Sequence, residues 1–169
     1  NYLLKKNLPE KANQILNQKL ITNPRNLLLN QLYTDINQKK QNHLQNYFDC
    51  KNISNVIAEL FYITANALSV QDIISMSNFY ISLAKYLNQN FFSYNNLLAE
   101  NFLKVKDYQK AKKTYLILKK FGQYYNWHSS KQISLIYIER SLSEKAIRTL
   151  EINYKNLKSP NVYQTYDFA

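Results

Sequence analysis

The chain has 169 residues and a formal net charge of +11, because 22 Lys and Arg oppose 11 Asp and Glu. Hydrophobic residues make up 46% of the chain, enough for a continuous core, whereas one glycine and three prolines leave little material for β-turns or flexible linkers. This composition favours an all-α protein. It also excludes the P-loop, the dinucleotide-binding fingerprint and the Gly-x-Ser-x-Gly nucleophile elbow, which all need more than one glycine.

Apolar residues recur at spacings of three and four along the chain, as they do on one face of a helix. The pattern predicts helices at about 9–22, 25–38, 41–50, 54–69, 72–88, 91–105, 108–121, 125–140 and 143–156, with a last helix after Pro160. Only short polar breaks separate these segments, so neighbouring helices must run antiparallel. Pro9 and Pro24 also lie near helix starts. Asp107 and Ser143 are predicted N-caps.

Small residues in these helices recur with a period of 34 or 35. Ala111 and Ala146 lie 35 positions apart, and Ser77 lies 34 positions before Ala111. Helices of about four turns with such a period are typical of stacked hairpins. The whole chain is then one repeat domain, and its predicted repeats are approximately 1–23, 24–53, 54–90, 91–125 and 126–159, with another starting at 160–169.

This arrangement resembles the tetratricopeptide repeat (TPR), which has a small residue in its first helix and an alanine early in its second. The best-matching copy carries Leu98, Ala99, Phe102, Tyr108, Ala111 and Tyr115. The copies beside it match at Phe61, Ala65, Leu68 and Ala84, and at Ile133, Ser134, Tyr137, Ala146 and Leu150. The resemblance implies an α-solenoid of about four to five antiparallel hairpins in a right-handed superhelix, although pentatricopeptide repeats share part of the pattern.

The segment Tyr124-Tyr125-Asn126-Trp127 is similar to the start of a repeat in bacterial tetratricopeptide proteins. This resemblance implies a soluble bacterial protein of the cytoplasm or the periplasm, and the compartment stays open.

In tetratricopeptide proteins, first-helix residues that face away from the hairpin partner line a concave groove. On the register of this chain, the resemblance implies that the groove residues are Gln31, Asp35, Tyr62, Asn66, Asn96, Glu100, His128 and Lys131. These residues do not form the family's clamp of Lys and Asn for a terminal carboxylate. The resemblance therefore implies a scaffold or adaptor that binds a partner protein or peptide segment, while each residue can equally be a solvated helix position.

The lysines suggest a different function, a nucleic-acid-binding helical repeat. One predicted hairpin contains Lys104, Lys106, Lys110, Lys112, Lys113, Lys119 and Lys120. Binding through such a surface falls steeply with salt, because counterions are released from the phosphates. The lysines are not interleaved with exposed aromatic side chains, as they are in single-strand binders. A solvated outer face is therefore the favoured interpretation.

The remaining side chains form no pattern of a catalytic or metal site. His43 and His128 belong to no metal-ligand motif, and Cys50, the only cysteine, is expected to be buried or half-buried. We therefore expect no enzymatic activity, metal, cofactor or small-molecule substrate. The most apolar stretch, around 57–70, is interrupted by polar residues and is not expected to cross a membrane. The chain starts with Asn rather than Met, so we expect a piece of a longer protein whose cut ends associate end to end.

Overall fold

The computed structural model describes residues 2–6, 8–38 and 48–169, and within these ranges the protein consists of helices without strands. The helices are α1 (Tyr2–Lys5), α2 (Pro9–Thr22), α3 (Leu27–Asn37), α4 (Ile53–Val70), α5 (Ile74–Leu87), α6 (Ser93–Lys104), α7 (Tyr108–Leu118), α8 (Gln123–Glu139), α9 (Ser143–Lys155) and α10 (Val162–Phe168). A short 3-10 segment, Lys119–Phe121, joins α7 to α8. The prediction of an all-α protein is confirmed.

The helix predicted at 41–50 is wrong at its end, because residues 48–50 form an irregular segment and a turn. Its remaining residues, and His43 among them, lie outside the described ranges. Cys50 is exposed, contrary to the prediction, because it lies in the turn just before Asn52 caps α4. The Asn52 side chain accepts a hydrogen bond from the Ser54 backbone N–H.

The two predicted N-caps have different outcomes. The Asp107 side chain accepts a hydrogen bond from the Lys110 backbone N–H at 3.1 Å, as predicted for a cap of α7. Ser143 is instead the first residue of α9, and Leu142 occupies the cap position without a side-chain hydrogen bond. The Ser143 prediction is wrong because the Leu142 carbonyl already accepts the Ala146 N–H, which starts the helix one residue earlier.

Consecutive helices pack against each other from α4 to α10. Two buried clusters hold this array together, and each joins one hairpin to the next. The cluster of α4, α5 and α6 contains Ala58, Ala65, Ile81, Ala84, Tyr94 and Leu97. The cluster of α6, α7 and α8 contains Ala99, Ala111, Tyr115, Leu118, Tyr125, Ile133 and Ile136. The two clusters share α6, which contributes Tyr94 and Leu97 to one and Ala99 to the other.

Small residues mark the closest approach of the two helices in each hairpin. The positions are Ala65, Ala99 and Ser134 on the first helices, and Ser77, Ala111 and Ala146 on the second. All six are at most 1% exposed. The Ser77 Oγ donates to the Ala65 carbonyl at 2.8 Å, and the Ser134 Oγ donates to the Ala146 carbonyl at 3.2 Å. The small residues found in the sequence thus lie where two backbones nearly touch.

The turns inside three hairpins have the same backbone geometry. Asp72, Lys106 and Ser141 have φ of +59°, +59° and +58°, and they lie 34 and 35 positions apart. In each turn the next residue donates its N–H to the carbonyl five positions back, as in a Schellman motif. These bonds join Ile73 to Leu68 at 2.9 Å, Asp107 to Phe102 at 2.8 Å and Leu142 to Tyr137 at 2.8 Å. The left-handed position usually holds glycine. In these three turns it holds Asp, Lys and Ser, so the spacing of glycines could not predict the turns.

Helices α2 and α3 pack against each other across the boundary predicted between the first two repeats, at residues 23 and 24. We call these two helices the N-terminal hairpin. Outside this hairpin, α3 makes its main contact with α8. Leu27 of α3 packs against the α6–α8 cluster together with Phe92 and Phe121. This aromatic contact places the hairpin beside α8.

Candidate functional site

Six of the eight predicted groove residues lie on α4, α6 and α8. We call the face formed by their side chains the first-helix surface: Tyr62, Asn66, Asn96, Glu100, His128 and Lys131. All six are half-buried. These helices touch directly. The ring centroids of Tyr62 on α4 and Tyr94 on α6 lie 5.1 Å apart in an edge-on contact, and Asn96 on α6 forms a hydrogen bond with His128 on α8. These contacts bring Tyr62, Asn96 and His128 of three first helices into one region, and the binding role of the six residues stays a prediction.

Asn96 is the centre of a hydrogen-bond network on this surface. Its Nδ2 donates to the Glu100 Oε1 at 2.7 Å, and its Oδ1 lies 2.8 Å from the His128 Nε2. The Asn96 amide nitrogen donates to Glu100, so the Asn96 oxygen is the atom that faces His128. This oxygen can only accept, and the Nε2 of His128 therefore carries the proton. Burial, helped by the charge of Lys131, lowers the pKa of His128 to about 4. The imidazole is therefore neutral at physiological pH.

The carboxylates of Glu59 and Glu100 lie near phenols at the first-helix surface, one of which, Tyr115 of α7, is fully buried. Burial raises the pKa of Glu100, although the bond from Asn96 and the charge of Lys104 oppose the shift. Burial and the charge of Glu100 both raise the pKa of Tyr115, whose hydroxyl has no hydrogen-bond partner among the described residues. Burial likewise raises the pKa of Glu59. This part of a basic protein is therefore acidic and poorly solvated.

Tyr62 and Asn66 form the end of the surface on α4. The Asn66 Nδ2 donates to the Tyr62 backbone carbonyl at 2.8 Å. The Tyr62 ring also meets the Phe91 ring edge-on at 5.6 Å. Packing between rings fixes the Tyr62 side chain, so it presents a rigid aromatic edge beside the polar network.

The other two predicted groove residues lie inside the protein, between α3 and α8. Gln31 and Asp35 are 3% and 6% exposed, and the Gln31 Nε2 donates to the Asp35 Oδ1 at 2.8 Å. The Gln31 Oε1 accepts the Tyr124 backbone N–H at 3.0 Å, which satisfies a free donor at the start of α8. Gly122 has φ +143°, and a Cβ there would overlap the Gln31 amide. Only glycine therefore leaves room for Gln31.

Lys131 is held by an ion pair with α10. The Asp167 Oδ1 accepts from the Lys131 Nζ at 2.8 Å and from the Arg25 Nη1 at 3.0 Å. Burial opposes ionisation of Asp167, but these two hydrogen bonds outweigh it and lower its pKa. The Arg25 guanidinium also lies over the Tyr163 ring, 5.2 Å from its centroid. Helices α3 and α10 therefore cover the end of the first-helix surface on α8.

Two cavities lie beside α3. One, of about 630 Å³, is lined by polar groups that include Asp35, Lys120 and Lys158. The other, of about 240 Å³, lies between α3, α8 and α10, and His128 and Lys131 are among its lining residues. Residues of α3 thus line two cavities whose walls combine polar and apolar groups.

The sequence analysis missed several residues that hold α3 and α10 in place. Arg25 and Asp167 lie 142 positions apart, and no periodic pattern relates them. Tyr124 contributes its backbone rather than its side chain, which no residue type reveals. The one available signal was Gly122, the only glycine of the chain, because a lone glycine marks a special backbone position or a close approach.

Four of the seven clustered lysines make contacts within the protein. Lys104 bonds to the Ser69 carbonyl and to Asp72, Lys110 to Asp107, Lys112 to the Tyr137 hydroxyl and Lys119 to Asn153. Lys106, Lys113 and Lys120 are exposed. Two of the clustered lysines, Lys104 and Lys110, are therefore paired with carboxylates.

In the part of the chain that the structure describes, no group of three or more His, Cys, Asp or Glu side chains is arranged to hold a metal ion. Comparisons with known proteins found no match: no family model, no curated protein and no solved structure is similar to this chain. The arguments for its function therefore rest on its own geometry.

Proposed function

We propose that the protein is a non-enzymatic interaction scaffold, a tetratricopeptide-like solenoid that binds a segment of a partner protein on its first-helix surface. One observation carries the proposal: α3, a helix of the same chain, already lies against α8 at the end of this surface. Its Gln31 side chain bonds to a backbone N–H of α8, and its Leu27 packs among aromatic rings. An apolar anchor with polar contacts beside it is typical of a helix in a groove.

The periodic geometry supports the solenoid interpretation. The left-handed turn residues Asp72, Lys106 and Ser141 recur every 34 or 35 positions. Direct contacts between hairpins join residues at nearly the same separation, as in Asn96 with His128 and Lys119 with Asn153, which lie 32 and 34 positions apart. Similar separations along a chain are expected when each repeat contacts only its neighbours.

The uneven chemistry of the surface suggests the kind of segment it binds. The acidic network around Glu100 suits a segment with donor or cationic groups, and the Tyr62 edge suits an apolar side chain. The end on α8 is already occupied by α3. We therefore expect the strongest contacts of a partner at Tyr62, Asn66, Asn96 and Glu100.

Selection of peptides displayed on phage against the immobilised full chain tests this proposal. Synthetic versions of the selected peptides should lose about tenfold or more in affinity for the Tyr62→Ala and Asn96→Ala variants. Lys113→Ala, an exposed substitution on α7, should leave their affinity unchanged. Circular dichroism shows whether each variant is folded. Peptides that bind all folded variants equally, or a selection that yields none, would contradict the proposal.

The net charge of +11 favours a second candidate, binding of nucleic acid through the exposed lysines. Fluorescence anisotropy with labelled single- and double-stranded 20-mers at rising salt tests it. This candidate predicts a steep loss of affinity with salt, and a comparable loss in a variant with Gln at positions 106, 113 and 120. Asn96→Ala should leave such binding intact, so the two candidates give opposite results with the same variants.

A further inference from the structure

Helices α4 and α5 carry an apolar face that no other element in the described ranges covers. Its main side chains are 37–74% exposed: Ile53, Val56, Leu60 and Ile63 on α4, and Met76 and Phe79 on α5. We call these six residues the α4–α5 face. They recur at spacings of three and four, so each helix contributes one stripe. Such a continuous stripe differs from the scattered apolar residues that every protein surface has.

The α4–α5 face is separate from the core of its own hairpin. Ala58, Ala65 and Ile81 lie in the buried cluster that joins α4 and α5 to α6. The hairpin that precedes this face in the chain, α2–α3, makes its main outside contact with α8 instead. The α4–α5 hairpin therefore has apolar side chains on two sides, and only the side that faces α6 is packed.

Charge restricts what covers this face. Residues 52–84 contain no lysine or arginine, and Glu59 and Asp72 are their only charged side chains. The rest of the chain carries the entire positive charge, which keeps two copies apart wherever basic surfaces meet. At the α4–α5 face this repulsion is weakest, and nothing there attracts an anionic partner. The complement of this face is therefore another uncharged, apolar face.

The size of the face fits a dimer interface. Its six side chains expose on the order of 600 Å² in each copy, near the roughly 800 Å² that each partner buries in an interface of standard size. The face also reaches the upper end of the roughly 300–600 Å² covered by the largest apolar patch of a typical monomer, which is often a functional surface. We propose that the α4–α5 face binds the same face of a second copy of this chain, in a two-fold symmetric dimer.

The far end of the array, formed by α9 and α10, differs from the α4–α5 face because its exposed apolar side chains lie among charges. The exposed side of α9 carries Glu144, Lys145, Arg148, Glu151 and Lys155 beside Ile147 and Ile152, and α10 exposes Val162 and Tyr166 next to the Arg25–Asp167 ion pair. Stacking the α4–α5 face on α9 would bury these charges opposite apolar groups, which is costly. A face that pairs with itself closes at two copies, whereas end-to-end stacking continues into a filament. The proposed dimer is therefore closed, and it differs in this respect from the end-to-end association expected from the sequence.

Sedimentation velocity of the full chain between about 1 and 200 µM tests the dimer. We expect a monomer–dimer equilibrium that stops at two copies. Ile63→Glu should raise the dimer dissociation constant at least tenfold, because the substitution buries a charge in each copy. The matched control is Ile152→Glu, since Ile152 is 51% exposed and Ile63 is 56% exposed. This control should leave the dissociation constant unchanged, and thermal melts followed by circular dichroism show that both variants fold.

Several results would overturn the inference: a wild-type monomer at 200 µM, assemblies that grow beyond two copies, or a dimer that Ile63→Glu leaves intact. The alternative binding partner of this face is a membrane. Helix α4, with 18 residues and a mean hydropathy of 1.3, is long and apolar enough to span one. Flotation with vesicles of 70% phosphatidylcholine and 30% phosphatidylglycerol tests this. Flotation of the wild type that Ile63→Glu abolishes, together with a monomer in solution, would assign the face to lipid.

Discussion

Asn96 on α6 and His128 on α8 are joined by a hydrogen bond of 2.8 Å across 32 positions of sequence. The same asparagine binds Glu100, so one amide connects two helices and orients both a carboxylate and an imidazole. Because the Asn96 oxygen must accept, the bond requires a protonated Nε2 and leaves Nδ1 as the acceptor of a neutral ring. The contact between the two hairpins therefore depends on side chains that titrate.

The depressed pKa of His128 predicts a loss of stability in acid. Its pKa is about 4 in the folded protein and 6.5 in a solvated histidine, so between these values only the unfolded chain takes up the proton. The stabilising contribution is complete above pH 6.5 and is lost as the pH falls toward 4. Integration gives about 2 kcal/mol between pH 7 and pH 5.

Urea unfolding of the wild type and of His128→Gln at both pH values measures this contribution. The glutamine can still donate to Asn96 but does not titrate. Glu59 and Glu100 have raised pKa values, so their contribution to the free energy of unfolding increases as the pH falls. Both proteins contain these residues, so this contribution cancels in the comparison. Equal acid losses in the two proteins would show that His128 is solvated.

Replacing a left-handed turn residue by glycine should stabilise the protein. Lys106 has φ +59°, where a side chain is strained by about 1 kcal/mol or more and glycine is not. Lys106→Gly is expected to raise the free energy of unfolding by about 0.5–1 kcal/mol, or Tm by a few degrees. Lys113→Gly, inside α7, is the matched control and should cost about 1 kcal/mol. A destabilised Lys106→Gly variant would mean that the turn is not left-handed.

Gly122→Ala should displace α3 from α8. The added methyl group would occupy the position of the Gln31 amide, and the φ of +143° is strained for alanine. Hydrogen exchange should show weaker protection in α3, while α6 and α7 keep theirs. Gln31→Ala removes the steric conflict, so the double variant should recover part of the stability lost in Gly122→Ala. Purely additive losses would mean that backbone strain alone is responsible.

Enlarging a small residue between the helices of a hairpin should be strongly destabilising. Ala111 is fully buried, so Ala111→Leu forces α6 and α7 apart at an expected cost of about 3 kcal/mol. Gln109→Leu introduces the same side chain at an exposed position of the same helix and should change stability by less than about 0.5 kcal/mol. Chemical denaturation of the two variants provides the comparison. Similar losses would show that Ala111 does not lie at a close contact.

The repeating features could be predicted because they follow from local pattern. Apolar spacing identified most of the helices from Pro9 onward, and the recurrence of Ser77, Ala111 and Ala146 identified where helices meet. Both patterns relate residues that are at most 35 positions apart. A residue type that recurs at a fixed spacing is therefore enough to predict the helices and their close contacts.

The position of the N-terminal hairpin could not be predicted, because the apolar stripe of α3 is equally compatible with packing against α4 or α8. The choice depends on Gln31 reaching a backbone N–H and on Arg25 reaching Asp167, and neither contact has a sequence signature. The sequence register places six of the predicted groove residues on α4, α6 and α8, and their role as a binding surface stays a prediction. The sequence contains no signal for the contacts of α3 and α10 with this surface.

In the proposed scaffold, helix α3 would be a tethered competitor for a partner that uses the end of the first-helix surface on α8. A covalently attached segment acts at a local concentration of about a millimolar, far above that of most free proteins. If α3 occupies its position 99% of the time, a partner that must displace it binds about 100-fold more weakly than to the open surface. Weakening the Arg25–Asp167 ion pair would then raise affinity without touching the contact surface itself. The protein would carry its own affinity control in its first 37 residues.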